Sequence, residues 1–199
     1  MLFGAPLFAY VAGMLHPSHV LVNGSPWLYI GVHLAWPLLA CLLAWMLLLL
    51  VDGVDGAAAT WTRVLAIPFA VAYTLFTAFA GIGIGAFVWK ANQLPADQQP
   101  AAAALIANVT HSSLATPIRL TANLLWLAAA LAVVIALRHV APLPALVLVA
   151  LGAAVFAYRH ERPWGPGGMA AVLAGIAWLE LKPKLATDTP LVKPIRSGR

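Results

Sequence analysis

The stretch Leu38-Leu39-Ala40-Cys41-Leu42-Leu43-Ala44-Trp45-Met46-Leu47-Leu48-Leu49-Leu50-Val51 carries no charged or amide side chain and is apolar on every face. A β-strand of a membrane barrel would alternate apolar and polar residues over segments of about 10. A surface helix would keep a polar stripe. Only a helix surrounded by other apolar groups suits this run. The chain upstream has the same character, since the first Asp, Glu, Lys or Arg is Asp52. Downstream, charge-free runs recur at Val64 to Trp89, Leu120 to Leu137 and His139 to Tyr158. Across the 199 residues 63% are hydrophobic and 9% charged, against roughly 25% charged in an ordinary soluble domain.

A helix rises about 1.5 Å per residue and a hydrocarbon core is about 30 Å thick, so a crossing takes about 20 apolar residues. On that basis the sequence predicts an all-α, polytopic transmembrane helix bundle with six apolar segments, near 2–16, 27–51, 64–89, 118–138, 142–158 and 167–182. Five span fully if the first is re-entrant. Residues 1–182 form one transmembrane domain and 183–199 a basic tail. Six crossings place both termini on one side with Arg63 and Arg138. That side then holds seven Lys and Arg against four on the other (Lys90, Arg119, Arg159 and Arg162), which makes both termini cytoplasmic by the positive-inside rule. Trp27, Trp61, Trp89, Trp164 and Trp178 fall near segment ends, where an indole sits well at headgroup level. Between Lys90 and Thr116 an Ala-rich patch predicts a short helix on the outer face.

Composition also excludes functions. The formal charge of +5 is concentrated near the C-terminus, at Lys182, Lys184, Lys193, Arg196 and Arg199, which fits membrane anchoring and not nucleic-acid binding. The single Cys41 permits no internal disulfide and no Cys-based cluster. There is no Cys-x-x-Cys-His, His-Glu-x-x-His, phosphate loop or Gly-x-Ser-x-Gly motif, which disfavours covalent haem, zincin, nucleotide and hydrolase chemistry. All six acidic residues lie in loops or at segment ends. A proton-coupled transporter would be expected to keep a carboxylate at mid-membrane depth.

Six histidines remain as the informative polar groups. His33 lies about two turns inside the second segment, and Pro37 disturbs the helix at the carbonyl of His33 itself. His16 and His19 form a His-Pro-Ser-His turn closing the first segment, and His111 lies in the loop before the fourth. His16 or His19, with His33 and His111, would supply a site for a transition metal or haem iron. Arg119 and Asn123 share one face of the fourth segment and could hold a propionate or a quinone carbonyl, so His33, His111, Arg119 and Asn123 form the candidate cofactor set. Structural readings stand beside these: a hydrogen-bonded His33, an interfacial turn at 16–19 and a snorkelling Arg119. Gly81 and Gly85, in register with Thr77, and Gly168 and Gly175 line small-residue faces that pack helices, including those of partner membrane subunits.

His16-Pro17 closing a first apolar segment, then Trp27, His33 and Trp36 in the second, resembles small uncharacterised multi-pass membrane proteins of bacteria. The similarity covers residues 11–40 and an Arg near the start of a later helix, Arg119. It implies a fold type and little more, with no settled activity or enzyme class; the location expected for the chain is a bacterial inner membrane. Two functions follow from the residues: an outer-side histidine-lined site for a metal, haem or quinone-like ligand, or a non-catalytic accessory subunit of a larger membrane complex.

Overall fold

Local signals account for the helices seen in the structure, a computed structural model that describes residues 2–17 and 25–187, with side chains to residue 180. Helix α1 is Gly4–Leu15 and ends at His16. Helix α2, Pro26–Leu50, starts with Ser25 as N-cap, its side chain accepting from the Leu28 amide at 3.3 Å, and with Pro26 where a missing N–H costs nothing. The far end of α2 is closed by Arg63, whose guanidinium donates to the Val51 and Val54 carbonyls at 2.8 and 2.9 Å. Gly53 and Gly56 take positive φ values of 69° and 111° in the turn that follows.

Helix α3, Ala57–Phe76, runs through a π-helical stretch, Thr77–Gly83, into α4, Ile84–Ala91. Together they form one rod of 35 residues. The short helix expected after Lys90 is α5, Gln99–Thr110, which buries only Ile106. Helices α6 (Ala115–Leu137), α7 (Leu143–Tyr158) and α8 (Trp164–Thr187) complete the chain. Counting the long rod once, the described residues form seven helices and no strand. The backbone of α8 continues past residue 182 to Thr187; the rest of the expected basic tail, residues 188–199, lies outside the described residues.

The helices fall where the apolar segments are, but the count of six crossings does not hold. Among the described residues, only Pro26–Leu50, Ala57–Ala91 and Ala115–Leu137 are long and apolar enough to cross a membrane. At about 1.5 Å per residue, α1 and α7, with 12 and 16 residues, reach only about 18 and 24 Å. The described part of α8 does not qualify either. With three crossings the termini need not share a side, so the charge count that placed both in the cytoplasm loses its basis.

The core is a string of interlocked aromatic rings, Trp36, Phe69, Tyr73, Trp126 and Phe156, contributed by α2, α3, α6 and α7. Trp126 Nε1 donates to the Ala153 carbonyl at 3.0 Å and ties α6 to α7. Outside this core, large apolar side chains such as Leu34, Leu38, Ile67, Val71, Leu75 and Leu124 are exposed. Contiguous apolar surface of that kind is consistent with embedding in a lipid bilayer. Trp27, Trp61, Trp164 and Trp178 are also exposed, in keeping with interfacial indoles.

The small-residue faces are occupied within the chain. A Cβ on Gly81 would overlap the His33 ring, and one on Gly85 would come 2.5 Å from Ile30. Gly168 meets the Gly152 carbonyl at 2.6 Å and Gly175 the Ala145 carbonyl at 2.8 Å by the same construction. These four glycines therefore serve internal helix packing and not a face open to another subunit.

Candidate metal centre

Three elements distant in sequence bring His16, His33 and His160 into one buried cluster, with a ligand nitrogen from each lying within 4.8 Å of the others. His16 is held by the end of α1, His33 by the second turn of α2, and His160 by the loop between α7 and α8. All three side chains are buried.

Glycines make the room. The π-helical stretch presents Gly81 to His33, and the imidazole occupies the space that any side chain there would fill. Tyr29 braces the same contact, since its hydroxyl donates to the Ala80 carbonyl at 2.8 Å. At the other wall, a Cβ on Gly165 would overlap the backbone of His160, so the loop closes on α8 only because Gly165 has none. The Gly165 amide also donates to the Glu161 carbonyl at 2.9 Å.

Hydrogen bonding fixes the protons on two of the rings. His33 Nδ1 lies 2.7 Å from the Tyr29 carbonyl, and His16 Nδ1 lies 2.8 Å from the Pro17 carbonyl. A carbonyl only accepts, so both Nδ1 atoms donate. In neutral imidazoles that leaves a lone pair on each Nε2, and the two Nε2 atoms face each other at 3.2 Å. Two lone pairs at that distance repel unless a cation lies between them. A tetrahedral ion with nitrogen ligands at 2.0–2.1 Å sets its ligand atoms about 3.3 Å apart. Donation of the second ring N–H to a carbonyl is also what orients histidines that bind metals.

The surroundings of His16 and His160 disfavour the charged imidazolium. Burial lowers the pKa of His16 from the ordinary imidazole value, opposed by its hydrogen bond to the Pro17 carbonyl and reinforced by the charge of Arg162. Burial drives His160 well below that value, assisted by the charges of His16, His33 and Arg119. The loop that brings His160 also brings Glu161, close enough to act electrostatically on Tyr29 and Tyr73. His160 packs edge-to-face on His16 at 5.0 Å between ring centres and on Phe76 at 5.6 Å.

Of the residues expected from sequence, the structure brings His16 and His33 together. His111 is exposed at the end of α5, outside the cluster. Arg119 is exposed on α6 and reaches the cluster only through its charge, while Asn123 is half-buried on the same helix. His19 lies outside the described residues. His160 was not among the expected ligands, although its neighbour sequence Tyr158-Arg159-His160-Glu161-Arg162 places an imidazole at the end of an apolar segment, as His16 is placed. No family model, curated protein or solved structure matches the chain.

Proposed function

We propose that the protein is an integral membrane protein that binds one transition-metal ion through His16, His33 and His160. The observation that carries this reading is the pair of Nε2 lone pairs facing each other at 3.2 Å while both Nδ1 atoms are committed to carbonyls. Imidazole sets of this kind suit zinc, copper, iron or nickel. Three histidines leave a tetrahedral ion one position for a further ligand, as in catalytic zinc sites. His160, with a ring nitrogen within 4.8 Å of the other two, supplies the third ligand.

The geometry favours a bare ion over haem. Axial nitrogens on opposite faces of a haem iron stand about 4 Å apart, and a porphyrin must lie between them. Here the Nε2 atoms are closer, and the His16 and His33 rings touch edge-to-face at 4.7 Å between centres. The bilayer concerned is a bacterial inner membrane if the resemblance over residues 11–40 extends to location. The accessory-subunit reading would have to rest on the lipid-facing aliphatic surface, because the glycines once assigned to it pack internally.

The test is metal analysis of the full chain purified in detergent and dialysed against zinc or cobalt. About one ion per chain is expected, lost in His33→Ala and in His160→Ala and kept in His111→Ala. Metal-free wild-type protein after dialysis, or equal metal in all variants, would overturn the reading.

A further inference from the structure

Beside the three histidines stand two hydrogen-bond donors with nothing to donate to. Trp36 Nε1 and Tyr73 Oη are buried without a partner, in side chains 0% and 1% exposed. Both rings pack edge-to-face on His160, at 6.0 and 6.4 Å between centres, and lie tilted against each other at 5.6 Å. Other buried residues of the same types are satisfied: Trp126 Nε1 bonds the Ala153 carbonyl and Tyr29 Oη, beside His33, the Ala80 carbonyl. The remaining orphaned atom among the described residues, Asn92 Oδ1, is an acceptor in a different part of the fold. Among the described residues, orphaned buried donors are thus confined to the wall of the histidine cluster. Burying a donor unpaired costs about 1–3 kcal/mol each, and buried donors of this kind mark the place of an ion or ordered ligand.

Resting on the metal reading above, we propose that the open position of the trihistidine ion holds a small anion, hydroxide or a halide-like ion, which accepts hydrogen bonds from Trp36 Nε1 and Tyr73 Oη. The chemistry selects such a ligand. The two orphans offer only N–H and O–H, so what fits them is a lone-pair acceptor. The ligand set is neutral, so a negative ligand offsets part of the ion's charge in a low-dielectric core. The enclosing rings of Trp36, Tyr73, Phe76 and Phe156 favour a monoatomic or rod-shaped ligand over a bulky one.

Cobalt-loaded full-length protein in detergent, titrated with sodium azide and followed by visible absorption, tests this. Saturable spectral change is expected in wild type. Per bound cobalt, azide affinity should fall about ten- to a hundred-fold in Trp36→Phe and in Tyr73→Phe, the range for losing a hydrogen bond to a charged group. Trp126→Phe, which removes a donor already satisfied by Ala153, should behave as wild type. Exchange of chloride for perchlorate before titration separates the sources: a changed starting spectrum identifies a bound halide, an unchanged one identifies hydroxide. Protein that takes up cobalt but shows no response to azide, or equal azide affinity in wild type and both Phe variants, overturns the proposal and leaves the metal reading standing. Protein that takes up no cobalt overturns the metal reading itself.

Discussion

His33 reaches its partners because Gly81 has no side chain. A methyl group there would overlap the imidazole, and the π-helical backbone that carries Gly81 cannot withdraw without breaking the Tyr29 contact to the Ala80 carbonyl. Gly81→Ala should therefore displace the ring, abolish metal uptake and lower stability by about 1–3 kcal/mol, the usual cost of overpacking. Gly31, two residues before His33 and exposed on α2, has nothing within 4 Å of its notional Cβ. Gly31→Ala should keep the metal and gain up to about 1 kcal/mol from helix propensity. Metal content and denaturation midpoints in detergent measure both. Were the two alanines to behave alike, the role given to Gly81 would fail.

At the scale of elements, the position of His160 depends on how closely α7 and α8 approach. Gly152 and Gly168 let the two backbones touch, for a Cβ on Gly152 would come 2.5 Å from the Gly168 carbonyl and 2.8 Å from the Val172 amide. Both obstacles are backbone, so the helices must separate to admit a methyl. Gly152→Ala should loosen the α7–α8 pair and pull the connecting loop, and His160 with it, away from α1 and α2. Weaker metal retention is the expected result, with a lowered unfolding midpoint. Unchanged metal retention in a destabilised variant would show that the loop holds its place without the helix pair.

For the molecule as a whole, the three helices long and apolar enough to cross a membrane would divide the connecting segments between two faces. Crossing in chain order, they would put the turn after α2 and the turn after α6 at one face and the segment after α4 at the other. In a Cys41→Ser background, an impermeant thiol reagent should reach Asp55→Cys and Val140→Cys from one side of a sealed membrane and Gln93→Cys from the other; all three positions are exposed. Labelling of all three from the same side would rule out this arrangement. The protein should also stay with the membrane through an alkaline wash, because the exposed aliphatic side chains of α2, α3 and α6 have no aqueous state of comparable free energy.

Sequence by itself determined the all-helical class and the apolar character of the helices. Long uncharged runs such as Leu38 to Val51 can exist only as helices among apolar neighbours. It also singled out His16 and His33, because an imidazole is conspicuous in a chain with few other polar groups. Hydropathy could not fix how many helices are long enough to cross, since segment edges blur into loops and the 12 residues of α1 look as apolar as the 25 of α2. The third ligand was equally out of reach, for residues 16, 33 and 160 share no spacing rule. Only the packing of α1, α2 and the loop before α8, held by glycine contacts whose partners are far away in the chain, brings those three imidazoles together.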